Sequence, residues 1–221
     1  MNDAAERLPR GRHKLSRDDV AGRQRTRILA AFAEVLTERG YVNTPVAAVL
    51  QRAGVSRETF YQQFSSKQDC FIAALEDTVG QLASAISTAV AVEGAPLDRF
   101  DQTMAIYLRA LAADPAKARL FLIETYAAGP EAMQRRLQLQ AQFVDGLVAI
   151  FGATAPAQRF ACEALVGAIV AMVTAKFVNG DVGTLADLRP RLVELAGTWL
   201  TAPPIRPGAR RPAGSARPRG R

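Results

Sequence analysis

The segment 44–67 constrains the fold of this chain more than any other, because it holds two short helical patterns that meet at a glycine. Thr44 is a favourable N-cap residue for the first pattern, and Pro45 suits the first helical position, where a missing N–H has no cost. Gly54 supplies the backbone geometry that ends the first helix, and Ser56 caps the second. The segment therefore predicts two helices joined by a tight turn.

The second helix of this pair has an apolar inner face and a polar outer face. Phe60 and Phe64 lie four residues apart and share the inner face. The outer faces carry long polar side chains, namely Arg57, Thr59, Tyr61 and Gln62. This pattern predicts a helix-turn-helix, whose second helix enters the major groove of DNA. The alternative is an ordinary tight corner of an all-α protein, which leaves the two caps and the outward Arg57 and Tyr61 unexplained.

Several of these residues also resemble a known family. They are Gly54-Val55-Ser56, the run Thr59-Phe60-Tyr61, Phe64 and Ser66-Lys67. At these positions the chain resembles the TetR (tetracycline-repressor) family of transcriptional regulators, over roughly residues 20–75. The rest of the chain is similar to that family only in size and helical pattern. The resemblance implies an all-α fold, with an N-terminal three-helix helix-turn-helix DNA-binding domain and a C-terminal helical ligand-binding and dimerisation domain.

Charge and composition divide the chain into four expected parts. They are a flexible basic arm at 1–18, the DNA-binding domain at 19–66, the ligand-binding and dimerisation domain at 67–202, and a disordered Arg/Pro-rich tail at 203–221. The tail carries six arginines and no acidic residue, and it lacks the apolar side chains that a core needs. The arm is either a solvated terminus or a contact to phosphates or the minor groove. The tail either adds nonspecific attraction to DNA or has no role.

The composition argues against an enzyme, a metalloprotein and a membrane protein. The chain has 221 residues and a net charge of +7, and His13 is its one histidine. A zinc site or a histidine-based triad lacks its ligands and base, so we expect no metal and no cofactor. Cys70 and Cys162 fall in apolar helical patterns typical of core positions. No signal peptide is evident and the longest apolar run, 164–175, is too short to span a bilayer, so we expect a cytoplasmic protein.

Caps and prolines predict the other helices. A helix at about 19–39 precedes the helix-turn-helix, and a capping box of Ser66 and Asp69 begins a helix that runs to about 92. Proline starts four later patterns, at Pro96, Pro115, Pro130 and Pro156. The helices expected after residue 92 are 96–112, 115–128, 130–151, 156–178 and 185–201.

Roles in DNA binding follow for the residues at the family's contact positions. The candidates are Thr44, Ser56, Arg57, Thr59, Tyr61, Gln62 and Lys67. Arg57 is the candidate for a guanine edge, because arginine pairs bidentately with the O6 and N7 atoms. The resemblance implies phosphate contacts for Tyr61 and Lys67, and we expect the Thr44 hydroxyl near a phosphate as well. Thr59 is assigned either to a thymine methyl or to a phosphate.

The middle helices are expected to enclose an effector cavity. Its candidate lining residues are Met104, Tyr107, Leu108, Leu111, Phe121, Glu124, Thr125, Gln142, Phe143, Thr174 and Phe177. Mostly apolar walls with a few polar groups suit a small apolar or aromatic molecule, but residues of this kind also form ordinary cores. Glu124 needs a partner on its apolar helix, which is either a ligand or an arginine such as Arg119 or Arg136.

The last two long helices are expected to form a dimer interface, because they are apolar on broad faces. The candidates are Leu165, Ile169, Met172, Leu192, Leu195 and Trp199; the alternative is an interior position in a monomer. The resemblance implies a homodimeric repressor on palindromic double-stranded DNA that a small apolar effector releases. Corepression stays open. The alternative function is sequence-indifferent DNA binding through the basic arm and tail.

Overall fold

The computed structural model describes residues 17–90 and 93–200, which form helices and no strands. The α-helices are α1 Arg17–Arg39, α2 Val46–Ala53, α3 Arg57–Gln63, α4 Lys67–Val90, α5 Pro96–Ala113, α6 Pro115–Leu122, α7 Pro130–Phe151, α8 Pro156–Val178 and α9 Leu188–Leu200. Short 3₁₀ turns cover Glu124–Tyr126 and Val182–Asp187. Most of the expected arm at 1–18, and all of the expected tail at 203–221, lie outside the described residues.

Helices α1, α2 and α3 pack into an N-terminal three-helix domain around large buried side chains. Phe32 of α1, Val49 of α2 and Phe60 of α3 are fully buried, and burying such side chains is the main stabilising contribution. Gly54 has φ 62° and ψ 44°, the left-handed conformation expected at the end of α2. The Ser56 hydroxyl accepts a hydrogen bond from the Thr59 amide at 3.0 Å. The predicted turn and its second cap are confirmed.

The predicted cap of the first motif helix was wrong. Helix α2 begins at Val46, and its N-cap position is Pro45, which has no side-chain hydrogen bond. The Thr44 hydroxyl instead donates to the carbonyl oxygen of Gly40 at 2.8 Å. Thr44 therefore closes the turn between α1 and α2, and its side chain is fully buried.

Helix α4 connects this domain to the C-terminal helices. The Ser66 hydroxyl accepts from the Asp69 amide at 3.0 Å, and the Asp69 carboxylate accepts from the Ser65 amide at 2.7 Å. The predicted cap at the start of α4 is thus confirmed, although the Asp69 carboxylate bonds the amide of Ser65 and not that of Ser66. Helix α4 packs against α1, α5 and α7, so it contacts both parts of the chain along its length.

The prediction of one helix over 115–128 was wrong, because α6 stops at Leu122. Ile123 leaves helical geometry, with φ −120° and ψ −55°. The Thr125 hydroxyl donates to the carbonyl oxygens of Leu120 and Phe121, at 3.0 and 3.2 Å. Such side-chain bonds compete with the helical ladder for those carbonyls. The chain continues as the 3₁₀ turn Glu124–Tyr126, which projects its side chains differently from a continued helix.

Helix α8 is long and apolar enough to cross a membrane by length and composition. The apolar run 164–175 lies within this 23-residue helix. Core helices have the same composition. In this fold α8 packs against α7 and α9, and its Leu165 and Val173 are fully buried.

Candidate DNA interface and ligand cavity

The outer face of α3 presents the polar side chains expected of a helix that contacts DNA. Arg57 is exposed and has no hydrogen-bond or ion-pair partner among the described residues. Tyr61 is 47% exposed, and its ring packs edge-on against Phe60 with 5.3 Å between ring centroids. Gln62 donates to the carboxylate of Glu58 at 3.3 Å. Glu58 thus pairs along its own helix and leaves the guanidinium of Arg57 unneutralised.

Thr59 and Lys67 are partly engaged within the protein. The Thr59 hydroxyl lies 2.9 Å from that of Ser56, so both hydroxyls belong to the cap of α3. The Lys67 ammonium donates to the carbonyl oxygen of Tyr41 at 3.0 Å and lies 4.2 Å from the centroid of the Tyr41 ring. Burial lowers the pKa of Lys67. An ammonium has three donors, so this contact leaves two available for a phosphate.

The expected phosphate contact of the Thr44 hydroxyl was wrong. Its side chain has no exposed surface, and its one proton is directed at the Gly40 carbonyl. A buried hydroxyl that already donates cannot reach a phosphate without the turn opening.

Two arginines of α1 join it to the ends of the motif helices, and the sequence reasoning did not find this role. Arg27 donates to the carbonyl oxygens of Ala53, at 3.2 Å through Nε, and Gly54, at 2.9 Å. Arg25 donates to the Gln63 carbonyl at 3.4 Å and stacks 4.6 Å above the Phe64 ring. Cations suit the unpaired carbonyls at helix C-termini. Sequence shows the arginines, but contacts over 26 and 38 residues have no local signature.

Glu124 connects the C-terminal helices to the N-terminal three-helix domain. Its Oε2 accepts a hydrogen bond from the Tyr41 amide at 2.8 Å. Its Oε1 lies 4.0 Å from the guanidinium of Arg119, at the outer limit of an ion pair. The other candidate partner, Arg136, donates instead to the Phe121 carbonyl at 3.1 Å and stacks on the rings of Phe121 and Tyr126.

A cavity of about 280 Å³ lies among α4, α5, α6, α7 and α8. Its walls are almost entirely apolar. Six of the predicted residues line it, namely Met104, Tyr107, Leu111, Phe121, Gln142 and Phe143. Five predicted residues do not, namely Leu108, Glu124, Thr125, Thr174 and Phe177. For Glu124 and Thr125 the reason is the break after α6, which directs one toward Tyr41 and the other back onto α6.

Helix α4 forms one wall of the cavity, which the sequence reasoning missed. Val79, Leu82 and Ile86 lie at helical spacing on the wall. These residues were visible as an apolar stripe, but the stripe alone does not separate a cavity wall from packed core. Because α4 also packs against α1 of the N-terminal three-helix domain, one helix contacts both that domain and the cavity.

Helices α8 and α9 carry exposed apolar side chains. Met172 is 41% exposed and Trp199 is 44% exposed, while Leu195 is half-buried. Three other predicted interface residues were wrong: Leu165, Ile169 and Leu192 are buried inside the single chain, and Ile169 faces the cavity. An amphipathic pattern does not distinguish the inward face of a helix from a second, outward apolar face.

The fold and the outer face of α3 define a helix-turn-helix DNA-binding protein with a helical C-terminal domain. Residues 28–74 match the family model described as bacterial regulatory proteins, tetR family. The matched segment runs from Ile28 of α1 into α4, and it contains the whole turn and α3. The N-terminal part of this chain thus has the DNA-binding domain of the TetR family of transcriptional regulators.

Relatives and solved structures agree with this assignment. The HTH-type transcriptional activator FasR of Mycolicibacterium smegmatis is 29% identical over 119 residues, covering 54% of this chain and 52% of the relative. The match thus spans about half the length of that protein. The transcriptional regulator FadR of Bacillus subtilis, in complex with stearoyl-CoA, superimposes with a TM-score of 0.67 at 20% identity over 77% of this chain and 96% of that one. The fatty acid degradation regulator FadR of Bacillus halodurans gives 0.70 at 18% identity, over 78% and 93%. These structural similarities concern the fold.

Proposed function

We propose that this regulator is a homodimeric, cytoplasmic repressor that binds a palindromic operator and is released from it by a small apolar effector carrying a hydrocarbon chain. The observation that carries the proposal is the apolar cavity of about 280 Å³ whose walls include α4 and α6. Both of these helices also contact α1 of the DNA-binding domain. A ligand in the cavity therefore touches the elements that position the domain.

Operator binding is assigned to the outer face of α3 and its flanks. The unpaired guanidinium of Arg57 contacts a guanine, and Thr59, Tyr61 and Gln62 make the flanking contacts. Lys67 contacts a phosphate through the donors that Tyr41 does not use. Ser56 holds the start of α3 in place through its cap.

The response to the effector is assigned to a chain of contacts that leaves the cavity at Phe121. Phe121 lines the cavity, and its carbonyl oxygen accepts from Arg136. Three residues further on, Glu124 holds the Tyr41 amide, and the Tyr41 carbonyl holds Lys67. In this proposal, a displacement of Phe121 moves Glu124 and, through Tyr41, also moves Lys67 at the DNA-binding surface. An effector changes DNA affinity only by its differential binding to the two states, typically about 1–3 kcal/mol.

An acyl-type chain is the proposed effector class. A cavity with apolar walls gains most from burying hydrocarbon, at about 25 cal/mol for each Å² removed from water. The B. subtilis structure with the same fold is a complex with stearoyl-CoA. That likeness supports testing acyl compounds first.

The dimer is assigned to the exposed apolar side chains of α8 and α9, with Met172, Leu195 and Trp199 as contacts. Two-fold symmetry places the two α3 helices in successive major grooves, about 34 Å apart, and requires a palindromic operator. We propose that residues 19–66 are the DNA-binding domain and residues 67–202 the ligand-binding and dimerisation domain.

Selection of bound sites from random DNA tests the DNA-binding part directly. Enrichment of a palindrome supports a sequence-specific dimer, whereas uniform enrichment supports the sequence-indifferent alternative. Transcription from a promoter that carries the selected site then tests the sign of regulation. A decrease on adding the protein supports repression, and an increase contradicts it and favours the activity named for the M. smegmatis relative.

The effector part is tested by measuring operator affinity with saturated acyl-CoA thioesters of increasing chain length. We expect a chain-length optimum and a roughly tenfold or larger loss of affinity there. Operator affinity that does not respond to any chain length contradicts the ligand-responsive function while leaving the DNA-binding function intact.

A further inference from the structure

Polar side chains in the cavity wall fall into two groups. The hydroxyls of Thr78, Ser87 and Thr103 donate to carbonyl oxygens of their own helices, at 2.8, 2.9 and 2.8 Å. Each is therefore occupied within its helix and is a weak donor toward a ligand. Tyr107 and Gln142 also line the cavity, and neither makes a hydrogen bond with any described residue.

Tyr107 is the buried member of this second group. It is 7% exposed and belongs to α5, whereas Gln142 is exposed and lies at the rim. Burial raises the pKa of the Tyr107 hydroxyl, so the group stays a protonated donor over the physiological pH range. A hydroxyl without a protein partner, on a residue of an apolar cavity wall, gains a hydrogen bond when a ligand supplies an acceptor.

Charge in the surroundings favours the negative end of a dipole at Tyr107. The positive charge of Arg136 acts on the Tyr107 hydroxyl, lowering its pKa in opposition to burial. Arg136 does not itself line the cavity, since its Nε is bonded to the Phe121 carbonyl and its plane stacks on Phe121 and Tyr126. A carboxylate in the cavity would lose its hydration without a contacting cation, which is strongly unfavourable. An uncharged carbonyl oxygen carries the negative end of a dipole and avoids the cost of burying a full charge.

We propose that Tyr107 is a specificity-determining residue, whose hydroxyl donates a hydrogen bond to an uncharged carbonyl oxygen on the apolar effector. The chemical class is a hydrocarbon chain with an internal ester, thioester, ketone or amide group. This inference rests on the proposed function, because it names the part of the effector that the cavity selects. A site that hydrogen-bonds a ligand group discriminates against the analogue that lacks it.

The test compares two ligands that differ by the carbonyl, 2-undecanone and undecane, on the full-length protein. Affinities are measured by displacement of the uncharged dye N-phenyl-1-naphthylamine and by the rise in unfolding temperature. We expect the wild-type protein to prefer the ketone by roughly two- to tenfold, the range of one net hydrogen bond. Tyr107→Phe removes only the hydroxyl, and we expect it to abolish the preference by weakening ketone binding while leaving undecane binding unchanged.

A matched control is Thr103→Val, which removes a cavity hydroxyl that is already bonded to the Arg99 carbonyl. We expect this variant to keep the ketone preference. The inference is overturned if wild-type protein binds undecane as tightly as the ketone, a result that needs no variant to fold. It is also overturned if Tyr107→Phe keeps the preference, or if decanoate binds more tightly than the ketone. If neither compound displaces the dye nor raises the unfolding temperature, the ligand-responsive function itself fails.

Discussion

The carboxylate of Glu124 accepts a hydrogen bond from the backbone amide of Tyr41, with 2.8 Å between oxygen and nitrogen. The two residues are 83 positions apart in the chain. Tyr41 lies in the turn between α1 and α2, and Glu124 lies in the 3₁₀ turn that follows α6. This bond therefore joins the DNA-binding domain to the 3₁₀ turn that follows Phe121, a residue of the cavity wall.

Glu124→Ala is expected to weaken this connection. The variant leaves the Tyr41 amide without its acceptor, so we expect a loss of roughly 1–3 kcal/mol of unfolding free energy. We also expect the effector-induced change in operator affinity to fall by roughly 0.5–2 kcal/mol, the range for residues that carry coupling. Operator titrations with and without effector measure this change. Glu131→Ala, at an exposed position in the first turn of α7, is the control; equal effects of the two variants contradict the role of Glu124.

Arg57 and Lys67 are expected to differ in what they contribute to binding. Arg57→Ala should cost about 1–3 kcal/mol on the operator and relax preference at one base position. Lys67→Ala should weaken operator and random DNA alike and reduce the salt slope by about one. Titrations at several salt concentrations separate the two, with Arg109→Ala on the exposed side of α5 as a charge-matched control. Equal losses on operator and random DNA for Arg57→Ala would show that it reads no base.

Gly54→Ala is expected to destabilise the DNA-binding domain by roughly 1–2 kcal/mol. Its φ of 62° is unfavourable for any residue with a Cβ, and that Cβ would lie 3.2 Å from the Arg27 guanidinium. Gly22→Ala is the matched control, because Gly22 lies inside α1 with open space around it. There alanine should stabilise by up to about 1 kcal/mol. Thermal unfolding measures both, and the argument fails if the two variants shift stability in the same direction.

Met172→Asp and Trp199→Asp are expected to dissociate the proposed dimer. Each puts a charge into an exposed apolar position on α8 or α9, where burial against a second chain would leave it unpaired. Sedimentation equilibrium should show at least a tenfold weaker association for each variant. Val42→Asp, an exposed apolar position in the DNA-binding domain, is the control. An unchanged dimer in both α8 and α9 variants places the interface elsewhere.

The ion pair between Asp101 of α5 and Arg189 of α9 is expected to make stability depend on acid pH. Hydrogen bonds from Arg189 hold the pKa of Asp101 below its ordinary value. The stabilising contribution is therefore present above that ordinary value, about 3.9, and is lost as the pH falls through the lower folded-state pKa. Because each side chain is more than a third exposed, Asp101→Asn should cost at most about 1 kcal/mol at neutral pH. Urea unfolding should show this difference vanish in acid, whereas Glu194→Gln should show no such difference.

Local sequence signals predicted the caps and helix starts well. Gly54, Ser56 and the four helix-starting prolines act through their own backbone or the next turn, and the structure places them as predicted. The prediction for Thr44 was wrong because the same hydroxyl can either cap the following helix or donate back to the Gly40 carbonyl. The choice depends on the turn between α1 and α2, which no local pattern specifies.

The cavity and the interface were predictable only in part, for a physical reason. Periodicity identifies apolar faces but not what each face meets. Ile169 was therefore predicted at an interface but lies on the cavity wall. Glu124 was correctly recognised as needing a partner, yet its main partner is a backbone amide in another domain.

The contacts of Arg27 with Ala53 and Gly54 have a consequence for how operators evolve under this protein. Because they fasten the first helix to the motif turn, we expect the three N-terminal helices to tilt together if the proposed effector moves them, with the outer face of α3 unchanged. The base preference within each half-site of the proposed operator should then not depend on whether the effector is present. Only the tolerated gap between half-sites should vary with it, so promoters can diverge in sensitivity through spacer length alone.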